Sequence, residues 1–352
     1  MAETIEVQIS RVHGALPHDG RDPSQIDRQN NPGSLGLGAK VSGRSVEPLE
    51  YKDECKDTLA VEEPLEIRLG YDDPLGSRVK KSISITMRTP GHDFDLVAGF
   101  LYTEGIIHGA DQIDKISHCG TALNQARTQN IVVVEMKPGL KFDLSRLERH
   151  FYTSSSCGVC GKSSIEALKV QKPSESPANS SLGHSAAPDF KVSQEMIHQL
   201  PDLMRSAQRT FESTGGLHAS CLFSLEPHSH QANPALKGEV SFSSMTIRED
   251  VGRHNALDKV IGAALLQKKL PFSHSLLLVS GRVSFELVQK AWMAGVPLLA
   301  AVGAPSSLAV ELAKEMDLTL LGFVRDHRFN IYCGGHRILR NSGGGDCRSI
   351  AQ

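Results

Sequence analysis

Residues 255–324 constrain the architecture more tightly than any other part of the chain. Apolar runs of strand length alternate there with amphipathic helical stretches. A helix at 255–268 carries the stripe Ala256, Leu257, Val260, Ile261, Ala264 and Leu265. It is followed by a strand at 275–279, a helix at 284–293, a strand at 297–302, a helix at 306–316 and a strand at 318–324. A tight turn at 325–328 leads to a strand at 329–332, which reads as a hairpin. Apolar strands separated by helices are buried on both faces, and that implies a sheet covered by helices on each side. The expected fold class is α/β, with a mostly parallel sheet flanked by helices. Asn255 is expected to cap its helix, with Asp258 three residues on.

The first half is less regular. Residues 65–69 and 82–87 alternate apolar and polar side chains as half-buried strands do, and 131–136 is a β-branched strand. Phe94, Val97, Ala98 and Leu101 have helical spacing. Helices are expected at 162–170 and 192–210, and strands at 218–225 and 239–244. Residues 1–58 hold six glycines and four prolines and no phenylalanine, and read as a disordered extension. Residues 171–189, with five serines and three prolines, read as a flexible insertion, and 341–352 as a flexible tail. A single α/β domain at 59–340 remains.

Charge excludes two classes of partner. The chain has 38 basic and 40 acidic residues among 352, a formal charge of -2, so it lacks the electrostatic footprint of a binder of bulk nucleic acid or anionic membrane. The uncharged run 291–310 is broken by Gly295, Pro297, Gly303 and Pro305 and reads as strand, turn and helix start. Glu3 and Glu6 near the start, with no apolar h-region, argue against a secretory or transit signal. Seven cysteines are an odd, modest number for such a length. A reducing, cytoplasmic setting is therefore expected.

Two of those cysteines form the strongest local motif, Cys157-Gly-Val-Cys160-Gly161-Lys162. Small flanking residues make both thiols accessible. Lys162 and an expected helix start near Ser163 favour thiolate, the reactive form. Several chemistries use such a pair. A structural zinc site needs four ligands, and Cys55, Cys119, Cys221, Cys333 and Cys347 stand singly. A phosphate loop needs glycine where Ser156 stands. A zinc deaminase needs an H-x-E that none of the 15 histidines begins. Disulfide exchange, a persulfide carrier, an inert pair and, as a poorer fit, structural zinc remain open.

Anion-binding features are spread along the second half. Arg253, His254 and a helix N-terminus together suit a phosphate, and Gly252 lets backbone approach. Ser280-Gly281-Arg282-Val283-Ser284 and Gly303-Ala304-Pro305-Ser306-Ser307 are further strand-to-helix junctions, where ligands of α/β sheets bind. Phe323-Val324-Arg325-Asp326-His327-Arg328 sets two arginines in a turn, and Thr214-Gly-Gly-Leu-His218-Ala219 places a Gly-Gly turn ahead of a strand. The absence of GxGxxG gives NAD little support. A large phosphate-bearing or nucleotide-like ligand is expected.

Taken together, Glu62-Glu-Pro-Leu-Glu-Ile-Arg-Leu69, the Cys157/Cys160 motif, Thr214–Ala219, Arg248-Glu-Asp-Val-Gly-Arg-His-Asn-Ala-Leu-Asp-Lys259, Ser280-Gly-Arg282 and Gly322-Phe-Val-Arg325 closely resemble the FdhD family over about residues 60–338. The resemblance implies a sulfur carrier protein, a sulfurtransferase required for formate dehydrogenase. Sulfur would pass from a cysteine desulfurase to a persulfide on Cys157, with Cys160 assisting. It would go on to the bis(molybdopterin guanine dinucleotide) molybdenum cofactor before that cofactor enters formate dehydrogenase. Phe323, Val324, Arg325, Asp326, His327 and Arg328 match the family's guanine-dinucleotide contacts, and Arg253 and His254 are expected to hold phosphates. A zinc-free core resembling cytidine deaminases, a homodimer and no metal held directly by protein ligands are also implied. A non-catalytic cofactor chaperone and a redox-switched regulator are the alternatives.

Overall fold

The computed structural model describes residues 3–11, 53–119, 129–140, 190–227, 240–269 and 272–339. The chain divides into two compact units, Met1–Ile5 with Leu59–Gln352, and Glu6–Thr58. Within residues 1–58, read from composition as disordered, strand β1 (Thr4–Arg11) pairs with β2 (Asp53–Ala60) in a two-stranded sheet. The expected helix at 162–170 and the insertion 171–189 lie outside the described residues.

The larger unit is mixed α/β and is built on two main sheets. The first contains β3 (Glu63–Asp72), β4 (Arg78–Arg88), β5 (Ile113–His118) and β6 (Ile131–Met136) in the order β4-β3-β6-β5. The second contains β8 (His218–Pro227), β9 (Val240–Asp250), β10 (Ser275–Val279), β11 (Leu298–Ala301), β12 (Thr319–Arg325) and β13 (Arg328–Cys333) in the order β13-β12-β11-β10-β8-β9. Only β10–β11 and β11–β12 pair in parallel; β8 and β13 run against their neighbours. The sheet is therefore mixed rather than mostly parallel. Strands β9 to β12 nevertheless point the same way, so their carboxyl ends share one edge. A short parallel pair, β7 (Val192–Ser193) with β14 (Ile338–Leu339), completes the strands.

Two cores cover the second sheet. One face packs on α2 (Gln194–Ala207), burying Ile197, Leu200 and Met204 against Cys221, Phe223, Leu278 and Leu321. The other packs on α1 (Asp93–Thr103), α4 (Arg253–Leu266), α5 (Phe285–Met293) and α6 (Ser307–Glu315), together with the first sheet. All five residues of β10 are buried, which explains its uninterrupted apolar sequence. The expected helix at 192–210 is two helices: α2 ends at Gln208, whose ψ of 80° breaks the helix, and α3 (Arg209–Thr214) follows.

Helices α1 and α4 touch backbone to backbone. A methyl group on Gly99 would collide with the Asp258 carbonyl, and one on Gly262 with the Asp95 carbonyl. Small residues at these two positions allow that approach.

Candidate functional site

The run 248–259 is mostly a framework. Arg248 clamps Asp95 of α1 through Nε and Nη2 at 2.9 and 2.8 Å. Glu249 accepts the backbone N–H groups of Thr210 and Phe211, tying down the start of α3. Asp250 pairs with Lys259 at 2.7 Å and accepts the N–H groups of Thr89 and Gly252. Asp258 holds Thr103 and Lys290. Asn255 does not cap α4: the cap is Gly252, and the Asn255 amide donates to Met87 O at 2.7 Å and to Asp250 Oδ1. The Asp250 carboxylate closes the turn itself, which frees Asn255 to stitch α4 to β4.

Arg253 and His254 stand apart from this framework. They are the first residues of α4, at its positive end. Arg253 Nε is buried and has no hydrogen-bond partner among the described residues. His254 Nε2 lies 3.3 Å from Ser284 Oγ and 3.2 Å from Glu286 Oε2. Ser284 is the N-cap of α5, yet its hydroxyl donates to Glu286 at 3.1 Å and makes no cap hydrogen bond. His218, at the start of β8, is held below the ordinary histidine range by its burial and by the neighbouring charges of Arg253 and His254. Ser220, two residues along β8, is 1% exposed and its Oγ lacks a partner among the described residues.

The junctions expected from sequence meet along the same edge. Gly303 N donates to Gly281 O, and Phe323 N donates to Gly303 O at 3.1 Å. The loops after β10 and β11 and the last turn of strand β12 are thus laced side by side. Val283 and Pro305 form a parallel bridge. Crowding explains the glycines: a methyl group on Gly303 would sit 2.9 Å from Gly281 O, and one on Gly322 would sit 2.9 Å from Pro305 Cδ. A methyl group on Gly281 would come within 3.3 Å of His218 Nδ1, which joins this lacework to the Arg253 cluster. The result is closely packed backbone at this edge, with Gly281 next to His218 and Phe323 leading into the 325–328 turn.

The turn is a two-residue hairpin. Asp326 and His327 both have φ of 52°, as a type I′ turn requires, and Arg325 pairs with Arg328. Phe323 has φ of 53°, and the register shifts between Gly322 and Arg325. A left-handed phenylalanine at a bulge stores about 1–3 kcal/mol of strain, and such strain clusters at binding sites. Arg325 lies over the Phe323 ring at 5.8 Å. The His327 ring meets that of His198 on α2 edge-on at 5.8 Å. Val324 is fully buried in the core, so its side chain offers a ligand no surface.

Cys157 and Cys160 lie outside the described residues. Among the other thiols, burial pushes Cys221 up to about 12 and also raises Cys333, so neither is a ready nucleophile. Sequence reasoning found Arg253, His254 and the hairpin. It also named Ser284 within its junction but not Glu286, whose only signal is position, two residues on at the start of α5.

The fold is that of a mixed α/β protein whose sheet edge carries closely packed glycines and, among the described residues, the unpaired buried atoms Arg253 Nε and Ser220 Oγ. A family model for the FdhD/NarQ family matches residues 60–339, and the chain belongs to that family. It is 48% identical over 283 residues to the sulfur carrier protein FdhD of Streptomyces avermitilis, covering 80% of this chain and 89% of that one. Its identity to the protein of the same name from Sulfurisphaera tokodaii is 38%, covering 80% and 92% of the two chains. The fold is similar to that of a formate dehydrogenase accessory protein from Desulfotalea psychrophila, with a TM-score of 0.55 at 23% identity over 82% of this chain and 93% of that one. Among the described residues, no helix is long and apolar enough to cross a membrane, and no group of three or more His, Cys, Asp or Glu is placed to hold a metal.

Proposed function

We propose that this protein is a sulfur carrier that loads the bis(molybdopterin guanine dinucleotide) molybdenum cofactor, its substrate, before the cofactor enters formate dehydrogenase. Cys157 thiolate attacks the sulfane sulfur of a cysteine desulfurase persulfide. The S–S bond to the donor breaks, the donor cysteine leaves as thiolate, and Cys157 carries the persulfide with its proton. The exchange is redox-neutral and needs no further reagent. Cys160 assists discharge.

The observation that carries the acceptor half of this reading is the sheet edge. Buried Arg253 Nε, without a partner among the described residues, a positive helix end, His218 and closely packed glycines suit the phosphates of a dinucleotide. The exposed hairpin supplies Arg325, Asp326 and Arg328 for the far end. The carrier half is supported by family membership and by relatives named sulfur carrier proteins. A homodimer in the cytoplasm, a zinc-free core resembling cytidine deaminases and a working domain at 59–340 belong to the same reading.

Complementation tests it. A strain lacking its own family member, given this protein, should regain formate dehydrogenase activity. Cys157→Ala should abolish that gain and Cys160→Ala should weaken it. Full activity in both variants would instead favour a cofactor chaperone with incidental thiols.

A further inference from the structure

The hairpin between β12 and β13 is poorly supported by its own backbone. Phe323 has φ of 53°, and Asp326 and His327 each have φ of 52°. Aspartate and histidine enter this left-handed region more readily than most residues, yet two-residue turns of this type favour glycine. The ladder pairs Gly322 with Asn330 and next Arg325 with Arg328, so the residues between are skipped. All four side chains of the 325–328 turn are exposed. Such a conformation persists only where neighbouring structure holds it.

His198 of α2 supplies that hold. Its ring meets the His327 ring edge-on at 5.8 Å and the Phe329 ring at 5.5 Å. It therefore reaches both the tip of the turn and the skipped part of the ladder. His198 is itself well anchored, because Ile197 and Leu200 on either side of it are fully buried against the sheet.

The brace acts from one face only. Val324 and Phe329 pack into the core on the α2 side. Arg325 and Arg328 are their neighbours along the strands, so alternation puts both arginines on the opposite face. In β8, Ala219 and Cys221 belong to the α2 side and Leu222 to the other. His218, with Arg253 and His254 near it, lies on that other face too. The hairpin arginines and the Arg253 cluster thus share one face of the sheet, and His198 supports the hairpin from behind.

We infer that His198 is a positioning residue for the 325–328 turn, holding it in the left-handed form that presents Arg325 and Arg328 to an anionic ligand. The inference rests on the hairpin holding the proposed acceptor, and adds a residue outside the hairpin on which that role depends. His198 acts through ring contact, so another aromatic ring can replace it and a methyl group cannot.

The experiment measures GDP affinity of the full chain as wild type, His198→Ala, His198→Phe and the double variant Arg325→Ala/Arg328→Ala, with amide hydrogen exchange followed over residues 323–330. His198→Ala should weaken GDP by about three- to tenfold and speed exchange in 323–330 by a similar factor, the range of one or two aromatic contacts. Exchange elsewhere and sulfur loading of Cys157 should be unchanged. His198→Phe should restore both affinity and exchange. Weaker GDP binding in His198→Ala with unchanged exchange in 323–330 would overturn the inference, because His198 would then act on the ligand and not through the turn. Failure of His198→Phe to restore either quantity would overturn it as well. GDP binding that needs the two arginines and ignores His198→Ala overturns it and leaves the hairpin reading standing. GDP binding that ignores the arginines, or no binding, overturns both.

Discussion

Lys259 Nζ lies 2.7 Å from Asp250 Oδ2, with the two side chains 1% and 0% exposed. The ammonium also donates to Thr89 O and Glu249 O, and the carboxylate accepts the N–H groups of Thr89 and Gly252. The pair thus locks the end of β9, the first turns of α4 and the β4–α1 loop into one unit beneath Arg253 and His254. Removing one partner strands the other charge in the interior. Lys259→Met or Asp250→Ala should each cost about 3–5 kcal/mol in urea unfolding, and the double apolar variant should recover much of that. A single-variant loss near 0–1 kcal/mol, the value of an exposed pair, would contradict this account.

At Gly99 two effects have opposite sign. Helix propensity alone makes alanine better by up to about 1 kcal/mol. Packing opposes it, because the new methyl group would meet the Asp258 carbonyl of α4. Gly99→Ala should destabilise the protein by about 1–3 kcal/mol, since backbone cannot yield as a side chain can. A stabilised variant would show that α1 and α4 can part without cost.

Gly303→Ala tests the close packing of this edge. Its methyl group would press on the Gly281 carbonyl and Arg282 N at 2.9 and 3.0 Å and prise the β10 and β11 loops apart. Nucleotide binding should fall, with GDP affinity down by about tenfold or more, corresponding to about 1.4 kcal/mol for each factor of ten. Unchanged affinity would place the ligand elsewhere.

His218 makes stability depend on pH in a known direction. Burial and the charges of Arg253 and His254 lower its pKa in the fold. The unfolded chain takes up the proton at about 6.5, whereas the folded chain resists it to lower pH. His218 therefore leaves stability intact above about 6.5 and erodes it as pH falls below that value, levelling off once the folded imidazole also titrates. His218→Asn should flatten this part of the profile in pH-dependent thermal melts. A bound phosphate should do the same by favouring the protonated ring.

The second half of the fold was legible because buried strands and amphipathic helices differ so strongly in period: β10, β11, β12, α5 and α6 fall within a few residues of their expected places. Strand direction was not legible, since β8 buries Ala219–Phe223 in a run like that of β10 yet pairs antiparallel to it. Asn255 misled because an asparagine before an apolar stripe is an ordinary cap signal. Here it is the third residue of the helix, and its amide is engaged by a partner 168 positions away. Arg253 and His254 were found from sequence as charges beside a glycine. The roles of their neighbours Arg248, Glu249, Asp250 and Lys259 were not, because their partners come from α1, α3 and the β4–α1 loop.

The central claim is that Cys157 bears the sulfur. Incubating the full chain with a cysteine desulfurase and cysteine, then measuring intact mass and mapping the modified peptide, tests it most directly. The account predicts a mass increase of one sulfur atom on Cys157, lost with Cys157→Ala and discharged when the molybdenum cofactor is added. No added sulfur, or the same increase in Cys157→Ala, would contradict it.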